Sequence, residues 1–276
     1  MKILTPALLL IALSSVTASV TAQQPKPTVS TSDEIKAEFA QVPCSKNEDR
    51  LAAVKTLFAK LGATESDTTV QKYKLAENLV VRKPGASAET IVIGAHYDKV
   101  PDGCGAIDNW TGIVAVAHIF SALKNVPMQK TLLFVAFGNE EKGLYGSHAM
   151  ANAIEKDQVA QYCAMINIDS LGLSMPQVLD NTSSRKLTQV AEELAKEMKM
   201  PFAHASVTDA DADSSSFIDR KIPALTIHGL NNDWASILHS SKDQAARINP
   251  TSVYLGYRLA LALLLRTDSS ACSAYR

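Results

Sequence analysis

The sequence predicts a single α/β domain with a mixed, mainly parallel β-sheet flanked by helices on both faces. Four short apolar runs have the length and the β-branched composition of buried strands, and segments with helical periodicity separate them. Strands that alternate with helices in this way are typical of a mainly parallel sheet. The 276 residues are enough for one such domain. The four runs are residues 91–95, 131–137, 163–168 and 222–227.

The other elements follow from the same patterns. Apolar residues at helical spacing predict a helix over 45–61, which Ser45 or Asn47 can cap and Gly62 ends. Partial alternation over 70–81 predicts a hairpin-like pair of strands before the central strand. Apolar patterns predict further helices over 112–123, 183–200 and 250–266, and the turn at 143–147 is expected to lead into a helix that ends near Ala153.

Three polar features fall among these elements. His118 lies within an apolar helix and is predicted to be a core residue, whereas His148 starts a helix and is predicted to be exposed. The polar stretch 208–216 lacks a glycine or glutamate at calcium-loop spacing, so we predict a solvated or substrate-facing loop there.

The first 22 residues have the order of a secretory signal peptide. Lys2 precedes an apolar run that is too short for a membrane span, and small residues then lead to Ala22. We expect cleavage after Ala22, with Ala18 as the alternative site and an uncleaved anchor as the rival. Export to the periplasm or the extracellular space follows. The predicted organisation is a signal peptide (1–22), a lead-in segment (23–44) and one domain (45–276).

Export permits disulfide bonds, and the chain has four cysteines, Cys44, Cys104, Cys163 and Cys272. The sequence does not decide among the three possible pairings. A Cys44–Cys272 bridge is favoured because these two residues flank the folded core. Cys163 is expected far from Cys104, because it starts a strand whose other end carries Asp169. Cys104 is expected to be a buried or bridged loop residue rather than a nucleophile or a zinc ligand.

The near-neutral composition excludes some classes of partner. A formal charge of −1 gives no electrostatic footprint for nucleic acid or for an anionic membrane. We therefore expect no nucleic-acid partner and, after signal cleavage, no membrane association. The oligomeric state stays open.

Acidic residues or histidines follow the carboxyl ends of three consecutive core strands, where ligands bind in sheets of this kind. Crowded carboxylates repel one another and raise each other's pKa, and divalent cations would offset that repulsion. Carboxylate and imidazole donors without a required thiolate suit zinc at a catalytic site. In chain order these residues are His96, Asp98, Glu140, Glu141 and Asp169, and loops add Asp108 and His239.

The order of these residues resembles that of the secreted di-zinc aminopeptidases, the twenty-eighth metallopeptidase family (bacterial leucyl aminopeptidase-like). The resemblance spans residues 45–266, and it implies the zinc-dependent exopeptidase fold and peptide substrates with a free N-terminus. The motifs that carry it are His96-x-Asp98, Asp108-Asn109-x-x-Gly112, Glu140-Glu141, Asp169, His239, Gly143-Leu144-Tyr145-Gly146-Ser147 and the stretch from Asp213 to Ile222-Pro223-Ala224-Leu225.

Carried over residue by residue, the resemblance implies two Zn²⁺ ions per chain. One zinc would be bound by His96 and Asp169, and the other by Glu141 and His239. Asp108 would bridge both ions, and in the family the peptide bond that follows it is cis.

The resemblance also implies a mechanism of N-terminal residue hydrolysis. Zinc lowers the pKa of a bound water to about 7, so a metal-bound hydroxide would be the nucleophile. Glu140 has no metal in this assignment and would act as the base that passes the water's proton to the leaving amine. Asp98 would hold the ring orientation and tautomer of His96.

Two departures from the family pattern concern the last part of the chain. His239 is favoured over His228 as the final ligand because it stands in the family's His-small-x-x-Asp pattern. Leu238 replaces the tyrosine that usually precedes this histidine, and Lys221 replaces the glycine before Ile-Pro. These departures bear on substrate contacts more than on metal binding.

Other functions remain open on the same scaffold. A glutaminyl cyclase-like enzyme with one zinc and a carboxypeptidase are the alternatives, and a catalytically inactive binding module is a further one. Five ligands favour two-metal hydrolysis, and a free base at Glu140 argues against a binding module. Side-chain preference is not readable, although loops 173–182, 205–216 and 229–238 are expected to wall the pocket. The loop 99–106 is a further candidate.

Overall fold

The structure is a computed structural model that describes Met1, residues 25–208 and residues 210–276. The predicted signal peptide, Met1 apart, lies outside these residues. The described residues form one eight-stranded mixed sheet, which confirms the predicted fold class. Its strands are β1 (Thr68–Lys72), β2 (Glu77–Lys83), β3 (Thr90–His96), β4 (Thr131–Phe137), β5 (Tyr162–Ile168), β6 (Gln177–Leu179), β7 (Ala203–Ala205) and β8 (Ala224–His228).

The sheet order is β1-β2-β4-β3-β5-β8-β6-β7. The central strands β4, β3, β5 and β8 run parallel, so their carboxyl ends share one edge. The β1–β2 and β2–β4 pairs are antiparallel, which confirms the hairpin predicted before the central strand. The central strands coincide with the four predicted apolar runs.

Helices cover both faces of the sheet. The helices are α1 (Ser32–Ala37), α2 (Asn47–Lys60), α3 (Thr111–Leu123), α4 (Tyr145–Asn152), α5 (Arg185–Glu197), α6 (Asp213–Asp219) and α7 (Pro250–Ser269). Helices α1, α2, α3, α5 and α7 pack on one face, and α4 and α6 pack on the other. Alternation along β3 supplies both cores, because Ile91 and Ile93 point to the first face and Val92 to the second.

The apolar segment Ala106–Leu123 is long enough to cross a membrane, but 94% of it is buried inside the protein. It contains α3, which is therefore the central helix of the core. His118 of this helix is buried, as predicted, and its Nδ1 lies 2.9 Å from the Ser30 hydroxyl.

Part of the predicted lead-in segment is structured. Thr31 caps α1 through a capping box with Glu34, and Ile35 and Phe39 are buried in the main core. The cap expected for the next helix is absent among the described residues: Lys46 occupies the N-cap position of α2 without a side-chain hydrogen bond.

Two local predictions are wrong. The stretch 208–216 is not a loop throughout, because α6 begins at Asp213 and buries both this residue and Ser216. His148 is half-buried rather than exposed, since its Nδ1 hydrogen-bonds the Ser216 hydroxyl at 2.7 Å.

The favoured Cys44–Cys272 bridge is also wrong. The disulfides are Cys44–Cys104 and Cys163–Cys272, with Cα–Cα distances of 4.1 and 4.4 Å. Cys272 lies after α7, which returns it to the start of β5, and so it meets Cys163 instead of Cys44. The expectation that Cys104 is a buried or bridged loop residue is confirmed.

Candidate metal centre

The carboxyl edge of the central strands gathers the predicted site residues. His96 is the last residue of β3, Asp169 directly follows β5, and Glu140 and Glu141 lie in the turn after β4. His96 is in register with Phe137, the last residue of β4. The parallel register therefore brings these side chains to one place, as the sequence predicts.

The Asp108 carboxylate lies between two histidines. Its Oδ1 is 3.1 Å from His96 Nε2, and its Oδ2 is 3.1 Å from His239 Nε2. On the first side, His96 Nε2 is 3.4 Å from Asp169 Oδ1 and 4.0 Å from Glu140 Oε2. On the second side, His239 Nε2 is 3.0 Å from Glu141 Oε2. One carboxylate thus joins two groups of donor atoms.

Asp98 connects the two strand ends that build this centre. Its backbone carbonyl lies 3.2 Å from His96 Nδ1, and its carboxylate Oδ1 is 3.7 Å from the same nitrogen. The carboxylate accepts the backbone N–H groups of Glu140 and Glu141 at 3.0 and 3.3 Å. With the Nδ1 proton directed at Asp98, the Nε2 lone pair of His96 faces Asp108 and Asp169.

The backbone around Asp108 is held by side chains on both sides. The Asp108-Asn109 peptide bond is cis. The Asn109 amide donates to the Ile168 carbonyl at 2.9 Å and accepts the N–H groups of Gly112 and Ser170 at 3.0 and 3.1 Å. Asn109 therefore ties the start of α3 to the end of β5.

Asp243 holds the other side of the same backbone. Its Oδ1 accepts the N–H groups of Ala106 and Ile107 at 2.9 and 2.7 Å, and its Oδ2 accepts that of Asp108 at 3.2 Å. Asp243 lies four residues after His239, so one short segment positions both the histidine and the shared carboxylate.

A buried arginine fixes the loop that leads to Asp108. Arg50 of α2 donates to the backbone carbonyls of Tyr97, Cys104 and Gly105, the last two at 2.7 and 3.0 Å. Burial lowers the pKa of Arg50 to about 10, while the nearby carboxylates, Asp98 first, raise it. The guanidinium stays protonated at neutral pH and places a fixed positive charge behind the carboxylates.

The loops next to the centre contain left-handed backbone at non-glycine residues. Asn139, Ser170 and His239 have φ values of 56°, 54° and 56°. Such conformations are uncommon outside glycine, although asparagine and histidine adopt them more often than other residues, and they cluster at functional sites. Each of the three is itself a site residue or the neighbour of one.

The centre forms the floor of a cavity of about 330 Å³. Residues of the three predicted loops form its walls. Leu179 comes from 173–182, Val207, Thr208, Ala210 and Asp211 come from 205–216, and Leu230, Trp234 and Leu238 come from 229–238. The loop 99–106 contributes no lining residue among those described, so its candidacy as a pocket wall is wrong. His228 lines the cavity but makes no ion pair with the described carboxylates, whereas His239 does.

The donor set fits a cation. No lysine or arginine is found among the described residues that line the cavity. Burial raises the pKa of Glu140 well above its ordinary value. The neighbouring carboxylates raise it further, although His96 lowers it. Burial and Asp108 raise the pKa of Glu141, and its Oε1 is buried without a partner among the described residues. Crowded carboxylates and imidazoles of this kind are suited to divalent metal ions.

The raised pKa values of His96 and His239 also indicate a site for a cation. Burial lowers the pKa of His96, but Glu140 and Asp169 raise it well above its usual range. Hydrogen bonds with Asp108 and Glu141 raise the pKa of His239 to about 10, although its side chain is 56% exposed. Both imidazoles therefore sit where positive charge is stabilised.

Four residues have roles that the sequence analysis did not assign: Arg50, Asn109 and Asp243 hold the backbone, and Asp213 is a buried carboxylate. The Asp213 side chain is fully buried, and burial raises its pKa to about 7. The Asp in the His-small-x-x-Asp pattern was the only available signal for Asp243. Nothing in the polar run 208–216 shows that the Asp213 carboxylate is buried.

Comparison with known proteins identifies the family. Residues 78–264, well over half of the chain, match the model of Peptidase family M28. The chain belongs to this family.

Curated relatives match parts of the chain. Aminopeptidase YwaD of Bacillus subtilis (strain 168) is 32% identical over 102 residues, which are 36% of this chain and 22% of that protein. The probable lipoprotein aminopeptidase LpqL of Mycobacterium tuberculosis is 30% identical over 133 residues, which are 46% of this chain and 27% of that protein. The chain spans less than half the length of these curated relatives.

Solved structures share the fold. BSAP, a zinc aminopeptidase from Bacillus subtilis, has a TM-score of 0.63 at 21% identity, covering 70% of this chain and 50% of that one. An Acidobacteriales bacterium glutaminyl cyclase has a TM-score of 0.74 at 17% identity, covering 92% and 99%. At these identities the likeness shows the fold alone.

Proposed function

We propose that this chain is an exported zinc aminopeptidase that hydrolyses the N-terminal residue of peptides. The observation that carries the proposal is the position of Asp108, whose two carboxylate oxygens each lie 3.1 Å from a different histidine. A carboxylate between two donor groups is suited to bridge two metal ions. Family membership and the names of the relatives support the same activity.

Two zinc ions are proposed, each with its own protein ligands. His96 and Asp169 would hold one, Glu141 and His239 the other, and Asp108 would bridge them. Bound zinc would supply a Lewis acid that polarises the scissile carbonyl and acidifies water.

The other side chains have distinct roles in this proposal. Glu140 lies 4.0 Å from His96 and is buried among carboxylates, which favour its protonated form and therefore its capacity to accept a proton. We assign it as the general base that later donates the proton to the leaving amine. Asp98 positions His96 through the contacts at Nδ1 and positions Glu140 through its backbone N–H.

The charge of the cavity supports a free amino terminus as the recognised end. A carboxypeptidase must bind the negative C-terminal carboxylate, yet the described lining residues include several carboxylates and neither lysine nor arginine. A positively charged N-terminal ammonium is the better match. The volume of about 330 Å³ suits the terminal residue of a peptide rather than an internal stretch of chain.

Export is proposed from the N-terminal sequence and from the cysteines. All four cysteines are paired in disulfides. Disulfides persist in oxidising compartments such as the periplasm and the extracellular space.

The test compares Glu140→Gln with Glu155→Gln, a matched change at an exposed position. Loss of the base should lower kcat by about 10²- to 10⁴-fold while zinc content is retained, and the control should equal wild type. Aminoacyl anilides should be cleaved, N-acetylated peptides should not, and chelation should abolish activity. Near-normal turnover of Glu140→Gln, or cleavage of N-blocked peptides, would contradict the proposal. Release of ammonia with pyroglutamyl product from an N-terminal glutamine peptide would assign the cyclase alternative instead.

A further inference from the structure

Strand β6 contributes to a wall of the cavity that carries none of the proposed metal ligands. It pairs antiparallel with β8, and Gln177 is in register with His228. Successive side chains of a strand point to opposite faces, so Gln177 and Leu179 share one face while Val178 packs into the main core on the other. Leu179 lines the cavity. The cavity side of β6 therefore carries both Leu179 and the Gln177 carboxamide.

The Asn181 side chain, two residues after Leu179, braces the loop 205–216. Its Nδ2 donates to the backbone carbonyl of Ala210 at 2.9 Å, and its Oδ1 accepts the backbone N–H of Val207 at 3.3 Å. A backbone hydrogen bond from the Ala210 N–H to the Val207 carbonyl at 3.2 Å joins the same two residues. Val207 and Ala210 both line the cavity. One carboxamide thus holds both ends of a turn in the wall.

The Gln177 side chain makes a matching contact with the loop 229–238. Its Nε2 donates to the backbone carbonyl of Leu230 at 2.7 Å. Leu230 lines the cavity as well. The carboxamides of Gln177 and Asn181 therefore flank Leu179 in the sequence, and each one holds a different wall loop.

Neither carboxamide belongs to the metal centre. Gln177 and Asn181 are not among the described residues that line the cavity. Their side-chain hydrogen bonds to described residues go to the wall loops and not to the proposed zinc ligands, Asp98 or Glu140. Without the brace a loop can take other positions, and the apparent affinity for a ligand falls with the fraction of molecules whose wall is in place. Such a loss raises KM and leaves kcat unchanged, because it affects ground-state and transition-state binding alike.

We infer that Gln177 and Asn181 are positioning residues that hold the cavity wall against the non-reacting part of the substrate, and so set its affinity without taking part in the chemistry. This inference rests on the proposed aminopeptidase function, since it assigns the cavity to a peptide.

The test measures kcat and KM for a leucyl anilide in three variants beside Gln189→Ala, a control at an exposed glutamine of α5. Asn181→Ala loses both contacts, Asn181→Asp keeps the acceptor for the Val207 N–H, and Gln177→Met removes the donor at similar side-chain length. We expect KM to rise about 3- to 10-fold in Asn181→Ala and Gln177→Met and by less in Asn181→Asp, with kcat within about twofold of wild type. The control should equal wild type.

Hydrogen–deuterium exchange reports on the loops themselves. Exchange in 205–216 should become faster in Asn181→Ala and stay unchanged in Gln177→Met, whereas exchange in 229–238 should show the reverse. A KM equal to that of wild type despite faster exchange, or a fall in kcat as large as the rise in KM, would overturn the inference.

A binding measurement keeps the inference separate from the activity. In zinc-loaded Glu140→Gln, calorimetry with the tripeptide Leu-Gly-Gly should show about 3- to 10-fold weaker binding when Asn181→Ala or Gln177→Met is added. This result with a wild type that cleaves no anilide would support the inference and contradict the proposed function. Unchanged affinity in both double variants would overturn the inference even if the aminopeptidase activity is present. Asn181 is exposed and Gln177 half-buried, so the variants should fold; thermal unfolding checks this, and a folded variant at either position decides.

Discussion

The side chain of Asp243 should be needed for metal binding although it is not proposed as a ligand. It accepts three backbone N–H groups, those of Ala106, Ile107 and Asp108. These hydrogen bonds set the direction in which the Asp108 carboxylate points. We therefore predict that Asp243→Asn weakens the metal centre while the protein stays folded.

The size of the stability loss follows from the number of backbone N–H groups that lose their acceptor. The carboxamide of asparagine keeps one oxygen, which can still accept the N–H groups of Ala106 and Ile107, but its NH₂ group then faces the N–H of Asp108. One buried donor is left unpaired, which costs about 1–3 kcal/mol. In a chain of this size each kcal/mol lowers Tm by roughly 2–4 °C, so a fall of about 2–12 °C is expected. Asp243→Ala would leave all three donors unpaired, at about 3–9 kcal/mol, which approaches the whole stability of a typical domain.

The assay measures Tm, zinc content and kcat for Asp243→Asn beside Asp157→Asn, an exposed control. A displacement of Asp108 by about 1 Å should reduce turnover about 10²-fold, together with zinc content. The control should match wild type in all three. If Asp243→Asn retained wild-type zinc content and kcat, the idea that this carboxylate positions Asp108 would be refuted.

Three further predictions concern residues around the centre. Arg50→Met should lower the free energy of unfolding in urea by more than about 3 kcal/mol, because several buried carbonyls lose their donor at once. Replacing Cys44 and Cys104 together by serine should cost about 2–5 kcal/mol in the same assay, and non-reducing peptide mapping should recover the Cys44–Cys104 pair. Asp213→Asn should raise Tm of the metal-free protein at pH 8 and have little effect at pH 4. Burial raises the folded-state pKa of this carboxyl to about 7, so wild type loses stability as pH rises through that value, which a pH series of thermal unfolding will check.

The fold was predictable because each central strand can be recognised from its own short stretch of sequence. Runs such as 131–137 are apolar on both faces, which only a strand between two helical layers requires. The co-location of His96 and Asp169 followed from the parallel order of those strands without any knowledge of side-chain contacts. The constraints on sheet topology were therefore sufficient to predict that the residues at the strand ends lie in one site.

Other features depend on long-range packing that no local pattern encodes. The buried state of Asp213 arises because α6 packs against α4 and β8, which a polar run cannot reveal. The predicted Cys44–Cys272 bridge was wrong because the pairing depends on where α7 places Cys272. This position is at the start of β5. Arg50 resembles any helix surface arginine in the sequence, and only the loop that folds over it makes it a donor to backbone carbonyls.

Arg50 and Asp243 explain together how the loop before Asp108 can be rigid without lining the cavity. The loop lies outside every strand of the described sheet, so its backbone carbonyls and N–H groups need other partners. The arginine supplies donors to the carbonyls of Cys104 and Gly105, and the aspartate accepts the N–H groups of the residues that follow. The Cys44–Cys104 bridge also ties the loop to the segment before α2. The rigidity of the shared carboxylate therefore comes from the loop's backbone hydrogen bonds, so substitutions that leave every proposed ligand intact should still weaken the metal centre.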